Sequence, residues 1–100
     1  MLAEAWVALR SLQIHIQRTM SSRADGSTPG PEGSIDKLLV TEVEQLISHV
    51  NLALRGASVI VEDGDDIAGY FWSRAQSIFG GTRQIQRNIV AQRVLGLPRG

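Results

Sequence analysis

Five consecutive residues, Gly80-Gly81-Thr82-Arg83-Gln84, bring together the types that recognition of an anion or a bulky cofactor needs. Paired glycines let a backbone come close to a ligand, because no Cβ stands in the way. Thr82 follows them and opens a run of helical character. Its side-chain oxygen can accept from an early helical N–H that lacks an intrahelical partner, which marks a helix start. The free N–H groups of such a start attract negative charge. The same residues also describe a tight turn followed by a cap, and on local signals alone both readings stand.

Other candidate constellations carry less. The acidic run Glu62-Asp63-Gly64-Asp65-Asp66 falls short of the alternating ligands of an EF-hand and has no distal Glu at the required offset, so it reads as a solvated loop. His15 and His49 stand alone, without a neighbouring His or Cys at ligand spacing. They are expected as surface or hydrogen-bonded residues and not as metal ligands. No Gly-x-Ser-x-Gly is present to support serine-hydrolase chemistry. Trp6 and Trp72 are expected to pack in the interior rather than to stack on a flavin or a base. The chain has no cysteine, which removes disulfides and thiolate sites and is compatible with the cytoplasm.

The elements that would position Gly80 to Gln84 follow from periodicity. Leu2, Ala5, Trp6, Leu9, Leu12, Ile16 and Met20 recur at three- and four-residue steps, which predicts a first helix over about 1–20. It begins inside the pattern with no cap, as in a helix cut in the middle, so a truncated chain or gene fragment is expected. Residues 21–33 are Ser-, Gly- and Pro-rich and read as a loop. Ser34 is expected to cap a second helix over 34–56. Along it Ile35, Leu39, Val43, Leu46, Ile47, Val50 and Leu54 make a broad apolar stripe, and Asp36 complements the helix dipole. Arg55-Gly56 supplies its end.

Beyond it, Ser58-Val59-Ile60-Val61 has strand-like composition but no partner strand, and is taken as a helix extension or buried turn. A third helix is expected over 67–78, with Ile67, Tyr70, Phe71, Arg74 and Ile78 at helical steps. Phe79-Gly80-Gly81 breaks it. A fourth helix spans 82–95 and stops where Gly96 can turn left-handed and Pro98 prevents resumption. Its apolar residues lie on more than one side: Ile85 and Ile89 mark one face, Val90 and Val94 another. That suits a helix packed on two sides, at a subunit interface or against a cofactor. The expected fold is all-α, an antiparallel four-helix, bundle-like arrangement.

Length and charge set the outer limits. One hundred residues make one domain, and 43 % hydrophobic residues with zero formal net charge are ordinary for a globular chain. A domain of this size buries only about 60–65 % of its unfolded surface, so its stability can lean on an oligomer. No stretch approaches the roughly 20 apolar residues that span a bilayer, and Glu4 near the start argues against a signal peptide. From Ser73 onward there are five arginines (Arg74, Arg83, Arg87, Arg93, Arg99) and no acid. A basic helical nucleic-acid module is therefore a reading to weigh, but aromatic interleaving and a docking motif are missing.

The last quarter carries more than periodicity. Gly80, Gly81, Thr82, Gln84, Ile85, Gln86, Arg87, Asn88, Ile89, Arg93, Val94, Leu95, Gly96, Leu97, Pro98 and Arg99 form one ungapped run that resembles the C-terminal end of the acyl-CoA dehydrogenases. The rest of the chain resembles that family's C-terminal helical domain more loosely, so residues 1–100 read as this single domain. The resemblance implies an FAD-dependent oxidoreductase that α,β-desaturates an acyl-CoA thioester in lipid metabolism, as in fatty acid β-oxidation. Its implied partners are acyl-CoA, an electron-transfer partner and copies or homologues in a homo- or hetero-oligomer in the cytoplasm. It places FAD contacts on Thr82 and Gln84, and puts Gly81 beside the acyl-CoA thioester.

One departure stands out. In medium- and short-chain members the catalytic glutamate immediately precedes Gly-Thr, and here Gly80 occupies that position. The base would then come from elsewhere: some members carry it on an earlier helix, and others work in complexes in which one subunit type lacks it. A non-catalytic assembly subunit is thus an alternative reading. No glycine-rich loop reaching a neighbouring subunit's FAD is recognisable over 62–70. The N-terminal helical domain and the β-domain that cover the other side of the flavin are outside the chain. The fragment alone is expected to be inactive and to bind FAD weakly or not at all.

Overall fold

The computed structural model describes residues 1–26, 30–58 and 65–99. It contains helices α1 (Leu2–Ala24), α2 (Gly33–Arg55), α3 (Asp65–Ala75) and α4 (Arg83–Ile89), and α4 continues as a π-helical turn over Val90–Val94. No strand occurs among the described residues, in keeping with the all-α expectation. The strand-like Val59–Val61 and the acidic Glu62–Gly64 lie outside them.

The helix α1 runs four residues beyond Met20, the last apolar member of its stripe. Ser21 to Ala24 continue it because nothing there breaks a helix. Asp25 ends it, followed by Gly26 at φ +82°. The start of α2 also differs from expectation. Ser34 does not cap it. Pro31 sets the turn, the Ser34 N–H donates to the Pro31 carbonyl at 3.0 Å, and Glu32 is the N-cap without a side-chain hydrogen bond. Ser34 is instead buried inside the first turn.

The long helix α2 is the central element, packing against α1, α3 and α4. Its N-terminal half meets the C-terminal half of α1, and its C-terminal half meets Leu2 to Leu9, so the pair is antiparallel. Ala5, Val43 and Val50 form the apolar core. Near the connection His15 Nε2 donates to Asp36 Oδ1 at 2.6 Å, and Arg23 Nη2 lies 3.5 Å from Asp36 Oδ2. Asp36 thus joins two helices besides sitting in a first turn. His15 is hydrogen-bonded and half-buried, and His49 is exposed. Asp36→Ala removes both bridges, and because these side chains remain partly solvated the expected cost is only about 1 kcal/mol. A melting temperature lower by roughly 4–8 °C checks it, and an unchanged one means the bridge adds no stability.

The helix α3 packs through a polar face. Ser73 is fully buried, its backbone carbonyl accepts from Gln45 Nε2 at 3.0 Å, and Gln76 Nε2 donates to Glu44 Oε1 at 2.9 Å. Two apolar members of the expected stripe point outward, Phe71 at 65 % and Ile78 at 66 % exposed, while Ile67 and Tyr70 are half-buried. The helix also stops at Ala75, before Ile78. Ser77 Oγ donates to the Arg74 carbonyl at 2.8 Å, offering the backbone an alternative to the helical ladder.

Neither tryptophan is a packing residue within this chain. Trp6 is 63 % and Trp72 61 % exposed, and the Trp72 ring lies 5.5 Å from that of Phe79 between centroids. The cause is geometric: three helices around α2 leave its partners with outer faces that no fourth layer covers. The accessible surface is 7123 Å², against about 5,600 Å² expected for a compact chain of this mass. The Cα radius of gyration, 16.3 Å, likewise exceeds the about 13 Å of a compact 100-residue domain. Among the described residues, no helix is long and apolar enough to cross a membrane.

Candidate functional site

The turn between α3 and α4 has its backbone carbonyls held by side chains. Lys37, from α2, donates through Nζ to the carbonyls of Phe79 and Gly81. Gln86, buried in α4, donates through Nε2 to the Gly80 carbonyl at 3.2 Å. Three consecutive carbonyls thus find partners from two elements, which accounts for the backbone acceptors of the turn. Gly80 lies at φ +72° and Gly81 at φ +108°. Both values belong to backbone that residues with a Cβ rarely adopt. A Cβ on Gly81 would also overlap the Gln86 amide.

Thr82 caps α4 as its position suggests. It is extended (φ −62°, ψ 161°), and its Oγ1 accepts from the Ile85 N–H at 3.2 Å. The Arg83 N–H reaches back to the Ser77 carbonyl at 3.1 Å and ties the helix start to the end of α3. The far end closes as the sequence implies, with Gly96 at φ +70°. Around it the Leu97 N–H donates to the Ala91 carbonyl at 2.8 Å, and Leu95 to Val90 at 3.0 Å. The Leu95 bond has the five-residue span of the π turn, in a segment that periodicity places within one regular helix, and the six-residue Leu97 bond closes the helix end around Gly96.

Thr82 and Gln84 line one cleft of about 350 Å³ together with Gln45, Arg74 and Arg83. Gly81 faces Lys37 and Gln86 and does not line that cleft. Arg74 is fixed by donating from Nη1 to Gln45 Oε1 at 3.2 Å, and its guanidinium lies 4.5 Å from the Tyr70 ring centroid. Arg87 points elsewhere, 3.8 Å from Glu42 Oε1 at the surface. The fourth helix uses Gln86 as its buried contact, while Ile85 remains 51 % exposed. Lys37, Gln45 and Arg74 were not singled out as site residues by the sequence. Lys37 and Gln45 sit on the far-removed α2, and only the five-arginine cluster hinted at Arg74.

A helix pair packed on a short capped helix, with a glycine turn clamped at the junction, makes an all-α helical domain. Residues 1–95 match the family described as acyl-CoA dehydrogenase, C-terminal domain, and the chain belongs to that family. It is 34 % identical to the acyl-CoA dehydrogenase IpdE1 of Mycolicibacterium smegmatis over 98 % of its length, and equally identical to IpdE1 of Mycobacterium tuberculosis. It is 31 % identical to the acyl-CoA dehydrogenase FadE34 of Mycobacterium tuberculosis over 74 % of its length. The chain spans about a quarter of the length of the two IpdE1 proteins and 10 % of FadE34. No solved structure matches it.

Proposed function

We propose that this chain is the C-terminal portion of an FAD-dependent acyl-CoA dehydrogenase that α,β-desaturates an acyl-CoA thioester. The observation that carries the reading is the cleft in which Thr82 and Gln84 lie beside two arginines, with no acid among the described residues that line it. Its donor set fits one anionic end of a large cofactor, and its volume admits part of such a molecule. When bound, FAD would accept a hydride from the acyl chain. The protein's own part is to bind and to orient. Thr82 Oγ1 is held by the helix it caps, which leaves its hydroxyl hydrogen free to donate to the cofactor. Gln84, one turn face away, offers an amide to the same cleft. The space beside Gly81 where a Cβ would stand is taken by the Gln86 amide, so an acyl thioester placed beside Gly81 would meet backbone that Lys37 and Gln86 hold.

Gly80 carries no carboxylate, so proton abstraction falls to a group other than the residue at this position. A second reading, an assembly subunit whose partner supplies the base, is favoured by that same glycine. The large accessible surface supports association in either case. Phe71, Trp72, Ile78 and Leu95 all stand more than half exposed and would be covered by other parts of a longer protein or by neighbouring subunits in the cytoplasm.

The experiment is the flavin content and acyl-CoA-dependent bleaching of the full-length parent, purified alone. Bound flavin that bleaches with acyl-CoA supports the dehydrogenase with its base elsewhere in the same polypeptide. Bound flavin that bleaches only after co-expression with a glutamate-bearing partner selects the second reading. A full-length protein that never takes up FAD ends both.

A further inference from the structure

We propose that Arg74 and Arg83 form a pyrophosphate-binding pair in the cleft that holds Thr82 and Gln84. This rests on the reading of that cleft as a nucleotide-cofactor site and assigns the two arginines within it. The shared chemistry is a diphosphate bridge, which both FAD and coenzyme A carry.

The argument is one of unbalanced charge. Arg74 and Arg83 line one cleft, and among the described residues no carboxylate lines it with them. Among the described residues Arg74 is positioned by neutral groups, the Gln45 amide at 3.2 Å and the Tyr70 ring. Among the described residues the Arg83 guanidinium has neither an ion pair nor a hydrogen bond, and the Nε atoms of both arginines are enclosed without a partner. Two like charges that line one cleft, each with a buried Nε, repel each other and lose hydration, so the cleft by itself is electrostatically unfavourable. A ligand with two negative charges close together relieves both penalties. A carboxylate brings one charge. A diphosphate brings two, on oxygens that match the planar donor fork of a guanidinium.

The surrounding groups agree with a phosphate ligand. The Thr82 hydroxyl accepts from Ile85 N–H and still has its hydrogen to give, and Gln84 adds an amide. Gln45 holds Arg74 in place from α2 while also bonding the Ser73 carbonyl, so the guanidinium is pre-oriented before a ligand arrives. Arg87, already beside Glu42, has no such need.

The test uses the full-length parent stripped of flavin and titrated separately with FAD, riboflavin and coenzyme A. For Arg83→Gln the expected result is about a tenfold loss of FAD affinity, with a larger loss for the double variant Arg74→Gln/Arg83→Gln. Riboflavin, which has no phosphate, binds each variant as it binds the wild type. If coenzyme A affinity falls instead and FAD affinity holds, the pair serves the diphosphate of the substrate, and the proposal stands with that source. Unchanged affinities for both nucleotides overturn it. An equal fall for riboflavin also overturns it, since that is damage to the fold and not loss of a phosphate contact. A wild type that binds neither FAD nor coenzyme A defeats the cofactor-site reading itself and this inference with it. A wild type that binds both, with the variants unmoved, defeats only the inference.

Discussion

Gly81→Ala is expected to be the most damaging single-methyl change in the chain, costing about 2–4 kcal/mol. Two terms add. Gly81 sits at φ +108°, a backbone region nearly closed to residues with a Cβ, and forcing alanine there costs about 1–3 kcal/mol. The new methyl also meets the buried Gln86 amide, so the bond from Gln86 to the Gly80 carbonyl must shift or break, at about 1 kcal/mol. A thermal melt should show a fall of roughly 10–20 °C. The control is Gly80→Ala. Gly80 is also left-handed, at φ +72°, but its Cβ would stand 3.6 Å from Lys37 Nζ, an ordinary contact. Only the conformational term of about 1–2 kcal/mol applies there. Equal losses in the two variants would show that the approach of Gln86 is not what demands glycine at 81.

Lys37→Met is expected to destabilise by about 2 kcal/mol and to free the turn ahead of α4. The ammonium donates to the Phe79 and Gly81 carbonyls from a different helix. Bonds from a charged donor contribute about 1.5–3 kcal/mol each when sheltered, and the partial exposure of this pair lowers the sum. Methionine keeps the stem and its packing while removing the donor. Two carbonyls then face the turn without a partner. The specific readout is native-state hydrogen exchange at the Arg83 amide, which bonds the Ser77 carbonyl across the turn. Its protection should drop more than that of the α2 amides. If the Arg83 amide stays as protected as before, Lys37 is not what holds the turn.

Local features were legible in the sequence for a local reason. The cap at Thr82, the left-handed stop at Gly96 and the end of α2 at Arg55-Gly56 each depend on residues within a few positions of one another. The all-α class followed from apolar spacing in the same way. Where local signals failed, a competing local bond or a distant one was responsible. Ser34 resembled a cap, but Pro31 two residues before the helix had already set the turn. The Tyr70, Phe71 and Ile78 steps suggested an apolar contact face for α3, but the face that packs carries Ser73, because Gln45 and Glu44 reach it from α2. Trp6 and Trp72 looked like core residues because large aromatic side chains usually are; burial depends on what surrounds a helix, and that is not written in the helix.

What the sequence by itself determined is the helical class, the order of elements, the glycine turn before a capped helix and, through one ungapped run, the family. What only the tertiary structure decided is how that turn is held and what stands beside it. Lys37 meets Gly81 across forty-four positions and Gln45 meets Arg74 across twenty-nine. Periodicity reports which side of a helix is apolar, but not the rotation at which two helices meet. That rotation sets whether a lysine on α2 reaches a carbonyl at the turn, and whether two arginines nine positions apart converge on one cleft. The charge of the C-terminal quarter was visible in the composition, and its concentration at Thr82 and Gln84 is a product of packing.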